Sequence, residues 1–137
     1  MGTPTEGFEQ PAAHTARGEE PRPTVLLAED DRALRRYFEV VLCRAGYDVL
    51  AAADGLEAMK ALLTNPVDAV VTDAVMPHLS GHELCRFLRE HPRLKGIPVV
   101  LLSGETSAHH EGAGADLYLS KPVSAEELSA GLARLLG

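Results

Sequence analysis

Along residues 24–137, short apolar runs alternate with stretches whose apolar positions recur every three or four residues. The run 24–28 (TVLLA) predicts a strand buried on both faces. Leu34, Tyr37, Phe38, Val41, Leu42 and Ala45 then recur at helical spacing, with Gly46 as the natural stop. DVLAAA (48–53) predicts a weaker strand. DGLEAMKALLTN (54–65) predicts a helix opened by Asp54, with Glu57 at the capping-box position. DAVVTD (68–73) reads as a third strand ending on an acid, and IPVVLLS (97–103) as a fourth. Between them SGHELCRFLREH (80–91) is a helix boxed by Ser80 and Glu83. LYLS (117–120) is a short fifth strand, and SAEELSAGLARLL (124–136) a closing helix boxed by Ser124 and Glu127. Only 105–116 is poorly patterned, its helical propensity weakened by Gly112 and Gly114.

Five strands alternating with five helical segments imply βαβ units and a parallel sheet covered on both faces. The length of 137 residues suits one domain with a real core. The hydrophobic fraction of 45% is that of a soluble globular protein, and the net charge of −7 argues against a nucleic-acid-binding surface. No apolar run approaches the roughly 18 residues of a membrane span, so the expected address is the cytoplasm. Residues 1–23 hold four prolines and one large apolar side chain, Phe8, and are expected to form a disordered tail. Cys43 and Cys85, both inside helical patterns, are expected to be reduced packing residues.

In an open parallel sheet, chemistry gathers outside the C-terminal ends of the strands. Here those ends carry Glu29 and Asp30, Asp73, Ser103 and Lys121. Taken singly each has a bland explanation: a turn cap, a satisfied backbone group, a solvated charge. Jointly they do not, because clustered carboxylates oppose one another's ionisation unless a cation is present. A hard divalent ion with oxygen ligands fits, and Mg²⁺ is the natural choice.

The pieces LLAEDD, VVTDAVMPHLSG, PVVLLSG and GADLYLSKPV, in this order, resemble the receiver domain of bacterial two-component response regulators. Asp73 lies 43 residues beyond Asp30 and Ser103 lies 30 beyond Asp73, intervals similar to the family's. The resemblance covers 24–137 and implies a flavodoxin-like (βα)5 fold with strand order 2-1-3-4-5. It implies that Asp73 accepts a phosphoryl group from a histidine kinase or phosphotransfer protein. Mg²⁺ would be held by Asp30, Asp73 and the backbone carbonyl of Val75, with Glu29 reaching it through water. Ser103 would hydrogen-bond a phosphoryl oxygen, and Lys121 would pair with it beside a cis bond to Pro122. Tyr118 would be the aromatic that turns inward with Ser103. The implied output is a switch in binding to a downstream protein partner, not to nucleic acid or membrane, and not an enzymatic turnover.

Lys121 lies 18 residues beyond Ser103, about four fewer than the family usual, so the fourth helix is expected to be short by roughly one turn. That puts in doubt the face formed by the fourth helix, fifth strand and fifth helix, which carries the output of many receivers. His109 and His110, in this stretch, are expected to be solvated. Two rival functions remain. A degenerate receiver, acting as a phosphorylation-independent interaction module, predicts loss of an acidic or lysine position, and none is lost. An aspartyl-phosphate hydrolase needs a second acid two residues after the nucleophile, where Val75 stands.

Overall fold

Alternate residues of each central strand feed two separate cores. Leu26, Ala28, Val70, Val99 and Leu101 face one side, where they meet Ala58, Leu62, Leu84, Cys85 and Leu88. Val25, Leu27, Ala69, Val71, Val100 and Leu102 face the other, against Phe38, Leu42, Leu128 and Leu132. Strands buried this way have no polar face to show, which is why they read as unbroken apolar runs. The computed structural model describes residues 21–104 and 114–137. In chain order the elements are β1 (Thr24–Ala28), α1 (Arg32–Arg44), β2 (Asp48–Ala52), α2 (Gly55–Thr64), β3 (Ala69–Asp73), α3 (Gly81–Glu90), β4 (Val99–Ser103), β5 (Leu117–Ser120) and α4 (Ala125–Leu136). The strands form one parallel sheet in the order β2-β1-β3-β4-β5, the expected flavodoxin-like winding. The order reverses between β1 and β3, so their C-terminal ends flank a crevice. No helix among the described residues is long and apolar enough to cross a membrane.

The helix boundaries follow local chemistry. Ser80 with Glu83, and Ser124 with Glu127, form reciprocal capping boxes. Asp54 caps α2 by accepting from Glu57 N, but Glu57 Oε1 accepts from Ala53 N, one residue before the expected site. Asp31, grouped by the sequence with the acids after β1, accepts from Leu34 N and caps α1.

Three expectations are corrected or bounded. Cys43 is not a packing residue: it is exposed, because α1 buries a narrow stripe through Phe38 and Leu42 and position 43 turns away from it. Cys85 is buried as expected, and both thiols are free. The tail is not loose up to residue 23. Arg22 donates to the carbonyls of Gly46 (3.1 Å) and Cys43 (2.8 Å), and Asp48 N donates to Pro23 O at 2.9 Å. The guanidinium fork adds to the few backbone bonds that close the end of α1 and its turn. The rest of the tail, residues 1–20, lies outside the described residues. So do 105–113, with the shortened fourth helix, His109 and His110.

At the opposite end of the sheet from the crevice, Arg89 staples α3 to the start of β4 and β5. Its guanidinium donates to the carbonyls of Gly114 (2.8 Å), Lys95 (2.8 Å) and Ile97 (2.7 Å), and to Asp116 Oδ2 (2.6 Å). Asp116 Oδ2 also accepts from Val99 N at 2.8 Å. Arg89→Ala is therefore expected to cost about 2–3 kcal/mol in urea denaturation. Arg89→Lys recovers little of this, since one ammonium has no planar fork to span four acceptors. A loss indistinguishable from zero would show that the staple is ornamental.

Candidate functional site

Sheet pairing runs one residue past β1, where Glu29 N donates to Ala52 O at 3.0 Å. This fixes the Glu29 backbone and turns its side chain inward, where it is 1% exposed. Glu29 Oε2 accepts from Asp31 N at 3.0 Å, while Oε1 is buried without a hydrogen-bond partner. Asp30, the next residue, is exposed. From the neighbouring strand, β3 ends on the buried Asp73, locked by Ala74 N donating to Leu102 O at 2.8 Å. Behind it, Gly81 begins α3 so close that a Cβ there would collide with the Asp73 carbonyl oxygen. Only glycine lets the helix start against that backbone.

Lys121 arrives from β5, anchored by its N donating to Ser103 O at 2.9 Å and followed by a cis bond to Pro122. Its ammonium lies 2.8 Å from Asp73 Oδ1 and 3.6 Å from Glu29 Oε1. Carboxylate oxygens of Glu29, Asp30 and Asp73 all lie within 4.8 Å of one another. Burial pushes the Glu29 carboxyl above its ordinary range, and the charges of Asp73 and Asp30 add to this against the Asp31 N–H and Lys121. Burial alone would lower the Lys121 ammonium, but the hydrogen bond and charge of Asp73, with the charge of Glu29, outweigh it and leave it raised.

The donor set fits a hard cation. Three carboxylates converge, one buried oxygen accepts no hydrogen bond, and a single ammonium serves two of the acids. A divalent ion would supply the positive charge that one lysine leaves short. Chemically, the arrangement can hold such an ion beside the Asp73 carboxyl group, backed by an ammonium.

Every strand-end residue singled out in the sequence lies on this rim. Ser103, 1% exposed, ends β4 beside β5 in register with Ser120. The Val75 side chain, 69% exposed, points to solvent from the loop after β3. Tyr118 is half-buried opposite Leu101, packed on the α2 and α3 side of the sheet, and its hydroxyl accepts from Ala115 N at 3.3 Å. Two contributors escaped the sequence reading. Arg35 Nη1 donates to Glu29 O at 2.9 Å, one helical turn past the Asp31 cap. Gly81 fixes Asp73, and the only clue in the sequence was a glycine placed just inside a helix.

Comparison with known proteins agrees with this geometry. The sequence profile of the response regulator receiver domain matches residues 25–133. Response regulator MprA of Mycobacterium sp. (strain KMS) is 40% identical over 116 residues, which cover 82% of this chain and 50% of that protein. The chain thus spans about half the length of this relative, and likewise of transcriptional regulatory protein GltR of Pseudomonas aeruginosa. Among solved structures, chemotaxis response regulator CheY4 of Vibrio cholerae superposes with a TM-score of 0.79 at 32% identity, covering 84% of this chain and 99% of that one. Response regulator TrrA of Thermotoga maritima, solved in complex with Mg²⁺-BeF, gives 0.76 at 27% identity, covering 83% and 99%. Fold, strand-end chemistry and profile agree, and the chain belongs to the response regulator receiver domain family.

Proposed function

We propose that this chain, over 24–137, is a phospho-accepting switch whose acceptor is Asp73. The observation that carries the reading is the Asp73 carboxylate, 2.8 Å from the Lys121 ammonium within a cluster of three acids. An Asp73 oxygen attacks the phosphorus of a phosphohistidine on a histidine kinase or phosphotransfer protein. The P–N bond breaks, and the imidazole nitrogen keeps its electron pair. A carboxylate ionised at neutral pH needs no base for this. Asp30, Asp73 and the Val75 carbonyl would hold Mg²⁺, with Glu29 reaching it through water, and the ion would supply charge neutralisation at the phosphoryl oxygens. The Mg²⁺-BeF complex of the relative TrrA supports that choice of ion. Lys121 moves from the carboxylate to pair with a phosphoryl oxygen, and the Ser103 hydroxyl donates to another. Tyr118 follows Ser103 inward, and the changed surface selects a downstream protein partner in the cytoplasm.

No acidic or lysine position is missing, so a degenerate module is the weaker reading. A hydrolase is weaker too, because exposed Val75 offers no acid to work on a leaving group or water.

Incubation with acetyl phosphate and Mg²⁺ is expected to add one phosphoryl mass to the wild type and none to Asp73→Asn, by intact mass. A full adduct on the Asn variant would sink the assignment, and turnover of excess donor without an adduct would favour the hydrolase.

In calorimetric titration, Asp30→Ala should lose more Mg²⁺ affinity than Glu29→Ala, since a direct ligand goes in one case and a water-borne contact in the other. Equal losses would place the two acids in the wrong order.

Glu29 also makes a prediction about stability. Its carboxyl is raised in the folded state, so the folded protein favours the protonated form. The ionised form penalises folding above the ordinary carboxylate range, and the penalty disappears below it. Glu29→Gln is thus expected to raise the melting temperature without Mg²⁺ at pH 7–8, with the gain fading as pH falls through that range. A gain that grows on acidification would contradict the burial account.

A further inference from the structure

Outside the acidic cluster, one contact joins two loops at the crevice rim. His78 has a φ of 73°, and it is the one non-glycine among the described residues with a positive value. Leu79 N donates to Pro77 O at 2.8 Å, closing a three-residue turn about it. Such a conformation is rare and strained for a residue with a Cβ. Its imidazole Nδ1 lies 3.1 Å from Asp54 Oδ2, while Asp54 Oδ1 accepts from Glu57 N at 2.9 Å to cap α2. The carbonyl and Cβ of Leu79 fill the space that a side chain on Gly55 would need. Ala74 O accepts from Gly81 N at 2.9 Å, so the loop 74–80 is pinned at its base. Its far side is pinned to the start of α2 through Leu79 and His78.

We infer that His78 is a positioning residue for the cation site: its bond to Asp54 holds the strained turn, and so keeps the Val75 carbonyl of the same loop in place. The inference rests on the reading that this carbonyl is a metal ligand. Without the bond, nothing at position 78 offsets the left-handed backbone, and the turn relaxes with Val75 and Met76 attached. The substitutions separate the parts. Asp54→Ser keeps a good helix cap but is too short to serve both Glu57 N and the imidazole. His78→Ala loses the bond and keeps the strain. His78→Gly loses the bond but adopts the turn freely.

Mg²⁺ titration and amide hydrogen exchange at 75–79 without metal test this together. His78→Ala and Asp54→Ser are each expected to weaken Mg²⁺ binding about tenfold, as loss of groups that orient a ligand typically does. The double variant should be no worse than either single one, and His78→Gly should recover much of the loss. Exchange at 75–79 should quicken in His78→Ala and Asp54→Ser. Wild-type affinity in those variants, or losses that add in the double variant, would overturn the inference. A wild type that fails to bind Mg²⁺ would overturn the metal reading instead. Faster exchange in the variants would then still support the hold on the turn, and unchanged exchange would overturn it.

Discussion

Gathering like charge at the end of a buried sheet is the constraint on which the rest of this structure turns. Carboxylates of Glu29, Asp30 and Asp73 lie within 4.8 Å of one another, and two of the three are buried. In low dielectric such a group favours its protonated form, so the arrangement holds only if the scaffold enforces it. The enforcement is visible. Backbone pairing continues past β1 at Glu29 and past β3 at Ala74, Arg35 grips the Glu29 carbonyl, and Gly81 lets α3 press on Asp73. Lys121, delivered from the far edge of the sheet, gives part of the missing positive charge. The central strands, apolar on both faces and packed in two cores, form the base on which these ends are held.

Much of this was legible in the sequence because two strong signals coincide there. Strands buried on both faces leave continuous apolar runs, and the residues that end them carry the acids, the hydroxyl and the lysine. Capping boxes at Ser80 and Ser124 marked helix starts through a local rule that tertiary structure does not override. The missed features depend on what lies across space. Asp31 directly follows two acids of the cluster in the sequence, yet it faces the opening of α1. Tyr37 and Cys43 sit in an apolar-looking pattern, but the pattern is wider than the stripe that the sheet covers. Arg22 reads as tail because nothing local shows that three carbonyls of the α1–β2 turn await it. The left-handed backbone at His78 has no local signature, since histidine is not a residue that turns require.

Family membership and site chemistry enter at different levels. The profile and the solved relatives establish what kind of domain this is. The distances among Asp73, Lys121 and Glu29 are what give that kinship a chemical meaning here, because they put a buried carboxylate, an ammonium beside it and an oxygen without a hydrogen bond in one crevice. A receiver with the same fold and a displaced lysine would be a relative in shape alone.

The Arg89 staple bears on what holds the last strand in register. Before the connection to β5, β4 is locked into the sheet through Ser103. Beyond it, Arg89 fixes the Gly114 carbonyl and Asp116, which aligns Leu117 with Val100 before β5 begins. The register of β5 is therefore fixed at the end of the sheet opposite the crevice. Lys121 is placed against Asp73 by contacts at both ends of its strand, so a change at Arg89 would be felt at the acidic cluster without touching it.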